Sequence, residues 1–355
     1  MSVQRVLVVG LGKMGMSHAR AYSRIEGYKI AGLCTRNIEE VALPRELRDV
    51  PCFHDFDEAL AAVKPDVVSI NTWSDTHAPY AIRAMEAGAH VFVEKPLADN
   101  MADAERVVET ATRTGRKLVV GYILRHHPSW IKFIEIARTL GTPHVFRMNL
   151  NQQSSGAAWE GHKRLLQSLS PIVDCGVHYV DVMCQITRAK PVQVHAVGAR
   201  LTDDMPEGMY NYGHLHVAFD DGSVGWYEAG WGPMISETAY FVKDVIGPKG
   251  SVSIVMAETV SDIRSDDVNA HTKTNQILLH HAALKPDGSF ARNDERISTM
   301  DEPDHDGLCE REQRFLLRAI QEDLDLTDHM NDAVRSLRIV MAADEAVRTG
   351  RVVAL

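Results

Sequence analysis

Residues 6–20 read Val6-Leu-Val-Val-Gly10-Leu-Gly12-Lys-Met-Gly15-Met-Ser-His-Ala-Arg20, an apolar run typical of a strand followed by three glycines and a helical sequence. The glycines have the spacing G-x-G-x-x-G, which is the fingerprint of a dinucleotide-binding turn. In such a turn Gly10 permits the tight reversal, Gly12 lets the backbone approach a pyrophosphate, and Gly15 lets the helix pack closely on the sheet. Because a strand precedes the motif and a helix and a second strand follow it, we interpret it as a nucleotide site rather than an ordinary βα turn.

Outward from this turn, the first third of the chain alternates between short apolar runs typical of strands and amphipathic runs typical of helices. The strand-like runs are Arg5–Val9, Lys29–Cys34, Val67–Asn71, His90–Val93 and Lys117–Gly121, and the helical ones are Gly15–Ile25, Asp57–Ala62, Ala78–Ala87 and Ala102–Thr114. This rhythm predicts an α/β fold, a doubly wound parallel sheet of Rossmann type over residues 1–122. Sheets of this kind bind ligands beyond the carboxyl ends of their strands.

After about residue 122 the pattern changes to long runs of alternating apolar and polar residues, which is typical of antiparallel strands. The runs are His144–Gln153, Pro191–Leu201, Tyr212–Phe219, Ser223–Gly230 and Ala239–Ile246, and helical patterns cover His127–Leu140, Asp306–Glu322 and Asp332–Thr349. The sequence Asp220-Asp-Gly-Ser223 indicates a hairpin turn. We therefore predict a second α/β domain over residues 123–355 with a large open, mostly antiparallel sheet, and we assign no structure to Ser261–Arg296.

Composition excludes several classes of protein. The 355 residues carry a formal charge of −10, with no basic stripe to offset it, which argues against a nucleic-acid partner. No apolar stretch has the length of a membrane span, and the first residues do not resemble a signal peptide. The 5 cysteines are scattered and form no C-x-x-C pair. We expect reduced thiols in a soluble cytoplasmic protein.

The end of the second predicted strand decides which ribose the nucleotide site accepts. Sites specific for NAD usually place an acidic residue there to hold the 2′-hydroxyl, but this chain has Thr35 followed by Arg36. A guanidinium can pair with a 2′-phosphate and stack on adenine, which favours NADP(H) and leaves NAD(H) possible. Alternatively, Arg36 is a solvated loop residue and Asn37 holds the 2′-hydroxyl.

Glu94-Lys95-Pro96 follows the strand-like run His90–Val93. A lysine directly before proline is disfavoured in a helix, so Lys95 is expected in extended geometry at the edge of the sheet. In a partly dry crevice the pKa of such a lysine can fall, and its amine can then transfer protons. By itself, the tripeptide is more often a surface turn.

The segment after Pro171 places Asp174, His178 and Asp181 at positions i, i+4 and i+7 of one helical face. A carboxylate one turn from an imidazole can orient it and raise its basicity, as a general base requires. Gly176 is a poor helix residue and indicates a close approach of another group. A helix cap with a core histidine, or a metal site for a hard divalent ion, remains open at this point.

Together these residues resemble the Gfo/Idh/MocA family of oxidoreductases, and the resemblance covers nearly the whole chain. Its marks are the glycine turn followed by His18, Thr72-x4-His77, Glu94-Lys95-Pro96, Gly121-Tyr122-x-x-Arg125, Asp174-x3-His178-x2-Asp181 and Ile246-Gly-Pro-Lys-Gly-Ser251. The resemblance implies hydride transfer between a nicotinamide and a carbinol carbon of a sugar, sugar acid, cyclitol or related polyol. It also implies a homodimer or homotetramer formed through the C-terminal sheet. It argues against a metal site at Asp174, His178 and Asp181.

The resemblance assigns roles to individual residues. Lys95 would polarise the substrate oxygen and take part in proton transfer, His178 would be the principal acid/base, and Asp174 would orient His178 or the substrate. The expected cofactor contacts are Gly10, Gly12, Lys13, Met14, Gly15, Thr35, Arg36, Thr72, Trp73, His77, Glu94 and Lys95. The expected substrate contacts are Tyr122, Arg125, His126, Trp159, His162, Arg164, Asp174 and His178, with Asn211, Tyr212 and Trp231 as further wall residues. For Trp159, His162, Arg164 and these last three, sheet packing or a surface position is an equally good interpretation.

Two departures from the family pattern concern the substrate more than the chemistry. Many members have a glycine-rich segment shortly before the catalytic aspartate, where this chain reads Lys163-Arg-Leu-Leu-Gln-Ser-Leu-Ser-Pro171. The position after Arg125 is often aromatic, but here His126-His127-Pro128 follows. Two alternatives to a dehydrogenase remain: a relative that uses bound nicotinamide transiently for isomerisation, elimination or glycoside hydrolysis, and a non-catalytic cofactor-dependent sensor.

Overall fold

The chain divides into two compact units. The computed structural model describes residues 3–237, 241–255, 265, 267, 273–299 and 301–355. Unit 1 consists of Met1–Ile123 and Pro303–Val334, and unit 2 of Leu124–Glu302 and Arg335–Leu355.

Unit 1 is built on a six-stranded parallel sheet. Its strands are β1 (Gln4–Val9), β2 (Tyr28–Cys34), β3 (Cys52–Phe53), β4 (Val67–Ile70), β5 (His90–Val93) and β6 (Leu118–Val120), in the order β3-β2-β1-β4-β5-β6. The predicted doubly wound parallel sheet is confirmed. The two-residue strand β3 was not predicted, because it is too short to show a period.

The helices of unit 1 begin and end at residues suited to those positions. They are α1 (Lys13–Arg24), α2 (Phe56–Val63), α3 (His77–Glu86), α4 (Met101–Thr114) and α9 (His305–Gln321), while α10 (Thr327–Thr349) begins in unit 1 and ends in unit 2. Asp55 and Asn100 cap α2 and α4 by accepting backbone N–H bonds, and Gly115 ends α4 in the left-handed conformation. Gly12 precedes α1 and contributes no side-chain cap.

Residues 303–334 pack in unit 1, whereas the predicted second domain ran without interruption over 123–355. The reason is a shared apolar core, in which Leu316 and Leu317 of α9 join Tyr22 and Tyr28. The Tyr22 hydroxyl also donates a 2.5 Å hydrogen bond to Gln313. Helical periodicity predicts α9 but does not say which sheet its apolar face will cover.

Unit 2 is built on a nine-stranded sheet with the order β14-β13-β12-β11-β7-β10-β9-β8-β15. The strands are β7 (Val145–Gln153), β8 (Pro191–Ala199), β9 (Tyr212–Phe219), β10 (Val224–Gly232), β11 (Lys243–Gly247), β12 (Gly250–Val255), β13 (Gln276–His281), β14 (Glu295–Ser298) and β15 (Val353–Ala354). Every neighbouring pair is antiparallel except β7 and β10, which are parallel. The prediction of a large, mostly antiparallel sheet is confirmed.

Four helices of unit 2 precede β8 in the chain. They are α5 (Pro128–Thr139), α6 (Gly156–Leu165), α7 (Pro171–Asp174) and α8 (Gly176–Thr187). Trp130, Phe133, Tyr179 and Tyr227 form a buried, connected set of aromatic rings between helices and sheet. Of the helices in the described ranges, none is long and apolar enough to cross a membrane.

In unit 2 the structure agrees with one part of the sequence-based assignment and differs from two others. The hairpin at Asp220–Ser223 is present, with Gly222 at φ +83°. The unassigned stretch Ser261–Arg296 contains β13 and the start of β14, whose polar pattern reflects partial exposure of both faces. The predicted run Ala239–Ile246 is a strand from Lys243 onward, and its residues 239 and 240 lie outside the described residues.

Candidate functional site

In the glycine turn, a side chain would have room at Gly12 but not at Gly10 or Gly15. Gly10 has φ +81°, and a Cβ there would lie 2.5 Å from the carbonyl oxygen of Asn71. A Cβ on Gly15 would lie 1.7 Å from the Gly10 oxygen, whereas a Cβ on Gly12 would meet no atom within 4 Å. Gly12 offers no capping side chain, so it gives the first N–H groups of α1 no side-chain partner. The turn therefore fits a pyrophosphate at the start of α1.

The other candidate cofactor residues follow neighbouring strands of the same parallel sheet. Strand β1 lies between β2 and β4, and β5 lies next to β4. Thr72 and Trp73 come just after β4, and Glu94 and Lys95 directly after β5. The Thr76 hydroxyl donates to the Thr72 hydroxyl at 2.6 Å, and Trp73 is 50% exposed. The carboxyl edge of the sheet thus gathers these residues beside the glycine turn.

His77 and Glu94 use their side chains differently from the prediction of direct cofactor contact. The His77 ring is buried, with Nδ1 2.7 Å from the Pro96 carbonyl oxygen and Nε2 3.1 Å from that of Thr72. Burial lowers the pKa of His77. The Glu94 carboxylate contacts Nε2 of His18 at 2.8 Å and accepts from the Lys95 backbone N–H at 3.2 Å. Both side chains therefore hold the edge loops together from inside the protein.

The end of β2 presents Arg36 to solvent. The Thr35 N–H donates to the Phe53 carbonyl at 3.0 Å, and Nδ1 of His54 contacts the Arg36 carbonyl oxygen at 3.1 Å. The Asn37 amide approaches Glu40 at 3.4 Å. Among the described residues, no carboxylate forms an ion pair with Arg36, so its guanidinium can bind an anion.

Lys95 is half-buried immediately after β5, and its peptide bond to Pro96 is cis. Its backbone N–H is held by the Glu94 carboxylate, as described above. Lys95 thus lies in a bend just beyond the end of a strand, and the residue is partly shielded from water.

In unit 2, Asp174 ends α7 and His178 lies in the first turn of α8, and both are half-buried. The two helices are separated only by Cys175, which keeps helical backbone angles. A Cβ on Gly176 would lie 2.8 Å from the Tyr227 ring, which is the close approach that this glycine indicated. Asp174 and His178 thus lie four residues apart on one nearly continuous helical segment, and their pairing stays a prediction.

Asp181 and Arg125 bind each other. Nε and a terminal nitrogen of Arg125 donate to the two Asp181 oxygens at 2.8 Å and 2.5 Å, and the Gln185 amide donates to the same carboxylate at 2.9 Å. The Asp181 side chain is 1% exposed. This buried bidentate pair joins α8 to the segment before α5, so the geometry favours a structural role for Arg125 over the predicted substrate contact.

The remaining predicted substrate residues differ in how far they are exposed to solvent. Tyr122, Asn211 and Trp231 are buried, Arg164 is exposed, and three others are half-buried: His126, Trp159 and Tyr212. His162 is half-buried, stacks on Trp231 with ring centroids 4.6 Å apart, and approaches the Ser154 hydroxyl at 2.9 Å. Trp231 and Asn211 are therefore sheet core, while His162 is fixed above that core on α6.

Sequence reasoning missed Gln152, which connects these groups within unit 2. Its side-chain oxygen accepts from Nε1 of Trp231 at 2.8 Å and from Sγ of Cys175 at 3.4 Å. Sγ of Cys175 also lies 3.5 Å from an Asp174 oxygen. Gln152 looks like any polar residue of an alternating strand, so only the tertiary contacts identify it.

A second residue missed from the sequence is Lys243, at the start of β11. Its side chain is buried, its ammonium contacts the Asn149 carbonyl oxygen, and it lies 4.4 Å from the centroid of the Tyr179 ring. Among the residues described, no carboxylate forms an ion pair with it. Burial lowers the pKa of Lys243 from 10.5 to about 7.

The burial of this amine predicts how the free energy of unfolding depends on pH. Between pH 7 and 10.5 the unfolded chain binds a proton at Lys243 that the folded chain does not, so the free energy of unfolding rises with pH in this window. Lys243→Met should be more stable than wild type at pH 7, by about 2 kcal/mol or more, and this advantage should shrink toward pH 10. Urea unfolding at several pH values measures the difference, with exposed Lys249→Met as the control. A pH-independent difference for Lys243→Met would contradict the prediction.

Two family models match this chain. Residues 4–122 match the GFO/IDH/MocA oxidoreductase family, NAD-binding Rossmann fold, and residues 136–253 match the GFO/IDH/MocA C-terminal domain. Together these matches span most of the chain and include the glycine turn, Lys95, Asp174 and His178.

Individual relatives agree with the family models. The chain is 32% identical to UDP-N-acetylglucosamine 3-dehydrogenase of Acidithiobacillus ferrooxidans over 56% of its own length and 59% of that enzyme. It is 35% identical to inositol 2-dehydrogenase of Acidiphilium cryptum over 62% of each chain. The solved structure of the Acidithiobacillus enzyme has the same fold, with a TM-score of 0.75 at 22% identity over 98% of this chain and 99% of that one. The protein therefore belongs to the Gfo/Idh/MocA family of oxidoreductases.

Proposed function

We propose that the protein is an NAD(P)-dependent dehydrogenase, or a reductase in the reverse direction, acting on a CH–OH group of a sugar, sugar acid, cyclitol or related polyol. One observation carries the proposal: the open glycine turn after β1 and Lys95 after β5 lie at the same carboxyl edge of the unit 1 sheet, where only β4 separates the two strands. The names of the relatives, a nucleotide-sugar dehydrogenase and an inositol dehydrogenase, support the class of substrate.

The proposed chemistry gives Lys95, Asp174 and His178 the roles that the family resemblance implies. When bound, the nicotinamide supplies the acceptor for hydride from the carbinol carbon. His178, oriented by Asp174, removes the hydroxyl proton as general base. Lys95 polarises the substrate oxygen, takes part in proton transfer and stabilises the developing negative charge.

For the cofactor we propose a preference for NADP(H) over NAD(H). The support is Thr35 directly after β2, where an acidic residue is typical of NAD sites, together with the exposed Arg36, whose guanidinium can pair with a 2′-phosphate. Titration of the protein with both nucleotides measures this preference. Tighter binding of NAD would contradict it.

We also propose a cytoplasmic homodimer or homotetramer assembled through the open face of the unit 2 sheet. Exposed Val192, Val197 and Val224 lie on this sheet, and a groove of about 400 Å³ runs past Trp226 and His216. The free thiols of all five cysteines are consistent with a reducing compartment. Sedimentation of the purified protein and of Val224→Lys tests the assembly.

A cofactor-reduction screen tests the activity. Purified protein is mixed with NAD or NADP and with sugars, sugar acids, cyclitols and dihydrodiols, and both reduced nicotinamide and product are quantified. Reduced cofactor in proportion to product supports the proposal. Product without net reduction would assign the protein to isomerisation, elimination or hydrolysis, and nucleotide binding with no product would favour a sensor.

Two substitutions in the glycine turn, Gly15→Ala and Gly12→Ala, are expected to have different effects, and each serves as the control for the other. Gly15→Ala should destabilise unit 1 strongly, because its Cβ would overlap the Gly10 carbonyl at 1.7 Å. Gly12→Ala should fold with a wild-type Tm, because its Cβ enters open space, but should weaken dinucleotide binding by about tenfold or more. Thermal unfolding and nucleotide titration separate the two effects. Wild-type nucleotide affinity in Gly12→Ala would contradict the placement of the pyrophosphate.

A further inference from the structure

A chain of buried hydrogen bonds runs from α9 to the backbone of Lys95, entirely within unit 1. The Tyr22 hydroxyl lies 2.5 Å from Oε1 of Gln313, and Nε2 of Gln313 lies 2.9 Å from Nδ1 of His18. Nε2 of His18 lies 2.8 Å from Oε1 of Glu94, whose Oε2 accepts from the Lys95 N–H. His18 and Gln313 are both wholly buried and 295 residues apart in sequence.

The donors and acceptors of this chain allow only one arrangement when His18 is neutral. Burial raises the pKa of Tyr22 well above its ordinary value, so its hydroxyl is protonated and donates to the Gln313 oxygen. The Gln313 amide nitrogen can then only donate, which makes Nδ1 of His18 an acceptor. The imidazole proton must therefore be on Nε2, where it is donated to Glu94. Gln313 thus selects the tautomer of His18.

Glu312, the neighbour of Gln313, contributes to the same cluster. Its side chain is 1% exposed, and in the described part of the chain Oε1 has no hydrogen-bond partner. Burial, and secondly the charge of Glu94, raises the pKa of Glu312 well above its ordinary value. Of these two carboxylates, Glu94 is the one with a partner on each oxygen, His18 at Oε1 and the Lys95 N–H at Oε2.

A bound metal ion accounts for this cluster less well than the hydrogen-bond chain does. His18, Cys309 and Glu312 offer ligand atoms within 4.8 Å of one another. However, a cation on His18 would have to displace Gln313 from Nδ1 or Glu94 from Nε2. Burial also raises the pKa of the Cys309 thiol, which disfavours the thiolate that a metal needs.

We propose that Gln313 and His18 are positioning residues for Lys95, acting through the Glu94 carboxylate that holds the Lys95 backbone N–H. This inference rests on the proposed function of Lys95. It makes α9, although distant in sequence, part of the support of the cofactor edge. The tautomer of His18 sets the direction of the Glu94 carboxylate, and that carboxylate fixes where the Lys95 side chain leaves the end of β5.

The experiment compares four variants. His18→Leu and Gln313→Leu remove one link each, and His18→Gln keeps a side-chain amide that can donate to Glu94. Gln321→Leu is the matched control, because it makes the same change at an exposed position on the end of α9. Each variant is first shown to be folded by circular dichroism and thermal unfolding at the assay temperature.

The first measurement does not depend on activity. Reductive methylation of Lys95 in the protein without nucleotide is followed by peptide mass spectrometry as a function of pH. We expect the Lys95 rate to change at least about threefold in His18→Leu and Gln313→Leu, with recovery in His18→Gln and no change in Gln321→Leu. An unchanged Lys95 rate in folded Gln313→Leu would overturn the inference whatever reaction the protein catalyses.

The second measurement is kinetic and uses the substrate found in the screen. Gln313→Leu and His18→Leu should lower kcat by about 10-fold to 100-fold, change its pH profile and leave KM for the nucleotide near wild type. A lower Tm with wild-type kcat and pH profile would show a purely structural role and would overturn the inference. Failure of the wild-type protein to reduce cofactor contradicts the proposed function instead, and the methylation result is independent of it.

Discussion

Lys95→Met is expected to lower kcat by about 10³-fold while the affinity for the nucleotide stays within about threefold of wild type. Lys95 is half-buried directly after β5, and a charge that is partly removed from water has a greater electrostatic effect than one in bulk water. Methionine has a similar length but can neither stabilise negative charge on the substrate oxygen nor transfer a proton. The glycine turn, which fits the pyrophosphate, is unchanged in this variant.

The measurement is steady-state kinetics together with nucleotide titration by fluorescence. Lys132→Met is the matched control, since Lys132 lies 54% exposed on α5 in a loose pair with Glu135. We expect that control to keep wild-type kcat and Tm. If Lys95→Met retained kcat within a few fold of wild type, Lys95 would not act on the reacting atoms.

His178→Gln is expected to have the second large effect, a fall in kcat of about 10²-fold to 10³-fold with little change in Tm. His178 lies in the first turn of α8 and is half-buried, with Asp174 at the end of α7 one turn before it. Glutamine keeps a polar side chain of similar reach but cannot accept the hydroxyl proton. The pH profile of kcat should therefore lose the limb that reports the general base.

His280→Gln provides the comparison for His178→Gln. His280 is on strand β13, where Nδ1 contacts Asp294 at 2.8 Å, and it is not among the candidate site residues. It should keep both kcat and the pH profile. A wild-type pH profile in His178→Gln would assign the general base to another residue, and Asp174→Asn would then be the next variant to compare.

Much of the fold follows from local patterns in the chain. Five parallel strands of unit 1 and five strands of unit 2 occur within a few residues of their predicted bounds, because alternating or continuous apolar runs report directly on burial. The Gly10 turn and the Asp220–Ser223 hairpin were predictable because positive φ angles favour glycine. Elements with little apolar pattern, such as α6, which has no buried residue, were not predictable.

The candidate site was predictable only where its residues belong to motifs. The glycine turn and Lys95 occur at the ends of recognisable strands, so their common edge follows from the parallel topology. Arg125 and Asp181 are also motif residues, but their ion pair depends on how two helical segments pack. Lys243 sits in an ordinary strand sequence, and its burial depends on the aromatic residues that cover it.

By itself the sequence determined the two kinds of sheet, the nucleotide turn and the membership of the chain in an oxidoreductase family. These features are local, since backbone angles, apolar period and short spacings are properties of neighbouring residues. Only the tertiary structure decided that α9 packs on unit 1, that Glu94 points inward to His18, and that the Gln313 amide meets Nδ1 of that histidine. Hydrogen bonds between side chains 295 residues apart leave no periodic trace in the chain, because they depend on which surfaces meet when it folds.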